Sequence, residues 1–150
     1  MSLKRRVKQA KNYEFLGLGF PVVFPTVELQ LIAGEWLPSV NMRKLMDVAF
    51  EALISHPAWL TGAQVAFIRK YMGMTQEEFA RGLGLTTHAQ VSRWEKEGQE
   101  VAGLSSAHEA NLRVLMRGFI GLDTLMVQEH IRLLSRGLMD PKGPIRLKAA

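Results

Sequence analysis

The chain has 150 residues, enough for one domain or for a domain with a small companion. Apolar residues make up 47% and charged residues 22%, which supplies a core that needs no staples. With no cysteine, disulfides, thiolate metal sites and cysteine nucleophiles are all excluded.

Net charge is +5 and the sequence pI is near 9.8, which favours a polyanionic partner. The four histidines, His56, His88, His108 and His130, stand far apart, and none has the spacing of a metalloprotease helix. No metal or cofactor is therefore expected. No carboxylate pair, nucleophile–base set or phosphate loop stands out, and the chain reads as a non-enzyme. No run of 18 apolar residues occurs, so no membrane span or membrane partner is expected, and the expected setting is cytoplasmic.

Residues 1–11 carry Lys4, Arg5, Arg6, Lys8 and Lys11 and read as a basic, mobile arm, either solvated or reaching a minor groove. Residues 12–59 read as a small α+β segment. Gly and Pro punctuate two extended runs, Phe20–Phe24 and Val27–Ile32, within an element of two or three strands. Pro21 and Pro25 demote the first run to a sheet edge. Asn41 then caps a helix whose Leu45, Met46, Ala49, Ala52 and Leu53 share one side, and Pro57 ends it near His56.

Residues 60–119 read as a helical block. Four Thr/Ser-x-x-Glu/Gln boxes start at Thr61, Thr75, Thr87 and Ser106 and close at Gln64, Glu78, Gln90 and Glu109. Phe79, Ala80 and Leu83 give the second helix of the block a buried face, and Gly84 ends it. The next helix, 87–96, has only Val91 and Trp94 as apolar anchors. Its Thr87, His88, Gln90, Ser92, Arg93 and Lys96 have no core to enter, and a short helix of this kind is shaped for the DNA major groove.

Residues 120–150 read as a last helix, Asp123 to Arg136, and an irregular tail from Met139. Ile120, Val127, Ile131, Leu134 and Leu138 make one apolar stripe; Leu122, Leu125, Met126 and Leu133 make another. Two faces need two burials: one against the helical block and one against a second subunit, or both within a monomer.

The stretches "RKYMGMTQEEFARGLGL" and "VSRWEKEG" resemble the Cro/cI-type (XRE) helix-turn-helix family over about Leu60 to Phe119. The run "LTGAQVAFIRKYMGMTQ…VSRWEK" also looks like the DNA-binding half of MqsA-like antitoxins and related regulators. Relatives with a zinc-binding N-terminal half use cysteines there, which this chain lacks. The resemblance implies a mainly α, Cro/cI-type domain flanked by the α+β segment and the C-terminal helix. It implies a phosphate contact by Gln76, an ion pair between Arg69 and Glu95, and base contacts near His88, Ala89 and Arg93. One residue more than the family's usual spacing lies between Gly84 and Val91, in "LTTHAQ". Arg93, counted back from Glu95, is unaffected by it.

The expected function is a sequence-specific double-stranded DNA-binding transcriptional regulator, repressor-like and homodimeric. Gln76, Arg81 and Lys96 would hold phosphates, while His88, Gln90 and Arg93 would read bases beside Thr87 and Ser92. The alternative is an antitoxin whose residues 12–59 bind a toxin protein and whose DNA binding serves autoregulation.

Overall fold

The computed structural model describes residues 5–121 and 143–147. Within them lie a four-stranded mixed sheet and five helices, which corrects the expectation of a mainly α, Cro/cI-type fold. The chain divides into two compact units, Met1–Ala49 with Pro144–Ala150, and Phe50–Gly143.

The first unit holds strands β1 (Val7–Phe15), β2 (Val22–Ile32) and β3 (Glu35–Pro38) in an antiparallel meander. Strand β4 (Ile145–Arg146) joins β2 in parallel, through Val22↔Ile145 and Val23↔Arg146. Three expectations give way here. Residues 7–11 are not a mobile arm: they form the start of β1, from Val7↔Gln30 to Lys11↔Thr26. The two short runs are one strand, and it is central rather than an edge. Pro25 is tolerated because β3 pairs only with residues 29–32 and β4 only with 22–23, leaving no strand beside it on that flank. The tail is not wholly irregular, since Ile145 and Leu147 are buried.

The β2–β3 hairpin turns on Ala33 and Gly34, with φ of 50° and 84°. Positive φ at both central residues is what a two-residue type I′ turn requires. Phe20, Val22, Val23, Phe24, Val27 and Leu29 are buried. Helix α1 (Met42–Ile54) follows β3 and runs across the division between the units. Asn41 caps it, its Oδ1 accepting from the Lys44 amide at 3.1 Å.

The second unit contains α2 (Gly62–Tyr71), α3 (Gln76–Gly82), α4 (Ala89–Lys96) and α5 (Ser106–Ile120). Thr61 and Thr75 form complete capping boxes with Gln64 and Glu78. The other two expected boxes do not form. Helix α4 starts two residues later than Thr87, with His88 in the cap position and no side-chain cap bond. Ser105, not Ser106, caps α5, accepting from the His108 amide at 3.1 Å. Glu109 is not free to close a box because it is drawn into the core.

There Glu109 meets Arg113, whose Nη2 lies 2.9 Å from Glu109 Oε1; both residues are fully buried. The guanidinium also donates to the carbonyls of Leu53, Ile54, His56 and Ala58. Two of those are among the orphan carbonyls that end α1. Glu109 Oε1 further accepts from the Leu60 amide at 3.2 Å. Burial pushes the Glu109 carboxyl up and the Arg113 guanidinium down from their ordinary values, each opposed by the other. Phe50, Tyr71 and Phe119 form an aromatic group, Phe50 stacked on Tyr71 with ring centroids 4.2 Å apart.

Among the described residues no helix is long and apolar enough to cross a membrane. The expected helix at 123–136 and its two apolar stripes, apart from Ile120, lie outside the described residues.

Candidate nucleic-acid interface

Helices α3 and α4 are joined by six residues that begin at Leu83 and pass through Gly84, whose φ is 75°. The left-handed backbone lets Leu85 fold back, and its amide donates to the Ala80 carbonyl at 2.9 Å. Thr86, Thr87 and His88 of "LTTHAQ" lie in this turn. Thr87 and His88 therefore precede the helix, which corrects the expected span 87–96 to Ala89–Lys96.

Val91 and Trp94 are the buried residues of α4. Ala89, Arg93 and Lys96 are exposed and follow the i, i+4, i+7 spacing of one helix face, opposite those anchors. Gln90 and Ser92 flank this face, half-buried. Trp94 also contacts His108 of α5, ring centroids 5.6 Å apart. Gly62 fixes the other end. A Cβ there would collide with the Trp94 carbonyl oxygen and stand 2.7 Å from the Gly98 amide, so only glycine lets α2 start against the C-terminus of α4.

Glu95 ties three segments together. Arg69 Nε donates to its Oε1 at 2.6 Å, and Gln76 Nε2 donates to its Oε2 at 2.6 Å. Arg69 Nη1 donates to the Met74 carbonyl at 3.0 Å. Arg69 and Glu95 side chains are only 14% and 11% exposed, so their attraction is weakly screened. The network orients α3 and α4 on α2. It also engages an amide hydrogen of Gln76 internally, leaving that side chain less free for a phosphate than the sequence suggests.

The remaining candidates are at the surface. Arg81 is exposed on α3. The Thr87 hydroxyl accepts from the Ala89 amide at 3.4 Å. His88 Nδ1 lies 3.8 Å from Glu77 Oε1, and both side chains are largely exposed. Thr75, Gln76, Glu77, His88 and Arg69 line a shallow depression between the two helices. The backbone and side-chain bonds of Thr75, with help from Arg81, hold the Glu78 carboxyl below its usual range.

Two participants are not announced by the sequence. Glu77 meets His88 only because the turn folds back, and no short-range pattern signals that. Gly62 shows in the sequence merely as part of a capping box, and its closeness to α4 depends on tertiary packing. No protein-family model, curated protein or solved structure matches the chain. The class defined by the fold is thus an α+β chain with a sheet unit and a helical unit, the latter presenting a short polar helix.

Proposed function

We propose that this protein is a sequence-specific double-stranded DNA-binding regulator of transcription that works in the cytoplasm and inserts α4 into the major groove. The observation that carries the reading is the outward face of α4. Ala89, Arg93 and Lys96 project from a helix anchored by Val91 and Trp94 and oriented by the Arg69–Glu95–Gln76 network. A helix of eight residues with a small residue at its start and a guanidinium in its middle fits a groove about 12 Å wide.

Arg93 is the base reader. Guanidinium donates two parallel hydrogen bonds to guanine O6 and N7, a pattern no other base edge offers as well. Lys96 and Arg81 hold phosphates. The test is binding to the protein's own promoter fragment and to a random duplex at several salt concentrations. Arg93→Ala weakens the promoter complex by roughly 1–3 kcal/mol and leaves the random duplex nearly unchanged. Equal losses on both duplexes would reduce Arg93 to a phosphate contact and move the readout elsewhere.

A further inference from the structure

The charge of the chain is divided unevenly. The helical unit, Phe50–Gly143, carries ten Lys/Arg and ten Asp/Glu in its sequence, so it is neutral. The sheet unit carries nine Lys/Arg and four Asp/Glu, and thus the whole excess of +5. The described surface sharpens the contrast. Exposed cations of the helical unit are Lys70, Arg81, Arg93 and Lys96, set against exposed Glu51, Glu77, Glu78, Glu97 and Glu100. Arg113 and Arg117 are buried and offer no charge to a partner. Such a unit has shape for a groove but little net attraction for a polyanion.

The sheet unit supplies what is missing. Arg5, Arg6, Lys8 and Lys11 are exposed, and no acid intervenes before Glu14. Among the described residues strand β1 pairs only with β2, and no strand lies along its other edge. Arg6 continues the ladder, its carbonyl accepting from the Leu31 amide at 3.1 Å. Lys8 lies opposite Leu29, and its ammonium sits 4.3 Å from the centroid of the Trp36 ring. Because alternate residues of a strand share a face, Arg6 and Lys8 leave one face of the sheet and Lys11 the other, while Arg5 directly precedes the strand. The charges therefore lie on both sides of that edge. Among the described residues none of the four is held in an ion pair.

We infer that the β1 edge, through Arg5, Arg6, Lys8 and Lys11, is a phosphodiester-binding surface that supplies most of this protein's salt-dependent affinity for duplex DNA. This rests on the DNA-binding reading and adds to it: the helical unit selects sequence, and the sheet unit attracts the backbone. Charges on a rigid strand lose less conformational freedom on binding than charges on a mobile arm. Counterion release scales with the phosphates neutralised, about 0.9 unit of log–log salt slope per contact.

The experiment compares the full chain with Arg5→Gln/Arg6→Gln/Lys8→Gln/Lys11→Gln and with Arg93→Ala. Each is titrated with promoter and random duplex from 50 to 200 mM salt, with circular dichroism and sedimentation as controls for fold and association. The quadruple variant is expected to lose about three to four units of salt slope on both duplexes while keeping its preference for the promoter. Across that salt range the four contacts account for ~10²-fold in affinity. Arg93→Ala is expected to keep the slope and lose the preference. An unchanged slope in a folded quadruple variant overturns the inference and leaves the α4 reading standing. The inference falls equally if the variant merely associates, because the cations then serve to protect a strand edge. Wild type that binds no duplex at 50 mM salt overturns both.

Discussion

Replacing Arg113 with methionine removes the buried guanidinium that holds five acceptors, the Glu109 carboxylate and four carbonyls. Methionine keeps much of the volume and removes the charge. The Glu109 carboxylate, fully buried, then retains only the Leu60 amide as a donor, and the carbonyls of Leu53, Ile54, His56 and Ala58 lose the guanidinium. Stranding one member of a buried ion pair costs about 3–5 kcal/mol, a large part of the 5–15 kcal/mol that stabilises a typical domain. Urea denaturation at pH 7, followed by tryptophan fluorescence, measures it. Arg113→Met should lower the unfolding free energy by that amount. Arg113→Met with Glu109→Leu should recover part of it, because no charge is left stranded, yet stay below wild type because the carbonyls have lost a charged donor. A loss under about 1 kcal/mol for Arg113→Met would show that water or a rearranged loop replaces the guanidinium, and the clamp would then be incidental.

Two further outcomes follow from single residues. Gly62→Ala forces the start of α2 away from the Trp94 carbonyl and should cost about 1–3 kcal/mol by urea melt, with weaker promoter binding because α4 is displaced. For His56, burial and then the nearby Arg113 charge lower the pKa from 6.5 to about 4, so the folded state holds it neutral. The unfolded chain takes up the proton first. The stability owed to neutral His56 is therefore full above pH 6.5 and is lost as pH falls toward 4, by up to about 3 kcal/mol. The raised Glu109 carboxyl acts in the opposite sense, so the difference between wild type and His56→Gln isolates the effect; parallel pH profiles would refute it.

Local signals explain which elements are legible. The boxes at Thr61 and Thr75, the glycine at Gly84 and the Val91/Trp94 pair each act within a few residues; α2 and α3 start where their boxes place them, and α4 forms around Val91 and Trp94 but starts two residues later than expected. Thr87 and Ser106 mislead because a hydroxyl three residues before Gln or Glu is only a permissive pattern. Glu109 has a stronger partner four residues on, and the Glu109–Arg113 spacing is the available clue. The sheet is hard to read for another reason. Strand β1 alternates apolar and polar residues only at its end, Tyr13–Glu14–Phe15, and its first half, with Lys8, Gln9 and Lys11, shows no apolar periodicity. Strand β4 is two residues long and exists only through its pairing with β2. The expected fold class fails because the sheet reaches beyond the two or three strands read within residues 12–59: β1 begins at Val7, and β4 joins β2 from Ile145.

The placement of charge bears on how a regulator of this kind would discriminate. If the cations surrounded α4, affinity for any duplex would rise with affinity for the right one, since phosphates are the same everywhere. Here α4 is flanked by carboxylates, with Glu77 beside His88 at its start and Glu97 just beyond Lys96. On the proposed reading, like charge against the backbone would penalise any docking in which α4 is out of register with the groove. Attraction supplied by β1 would not depend on register. A promoter complex would gain both contributions, whereas a random duplex would gain the β1 attraction and bear the penalty. The ratio of the two affinities should then be less sensitive to salt than either affinity alone. Replacing Glu77 by Gln should raise random-duplex affinity more than promoter affinity, narrowing that ratio, and an equal rise on both duplexes would show that the carboxylate repels DNA without serving discrimination.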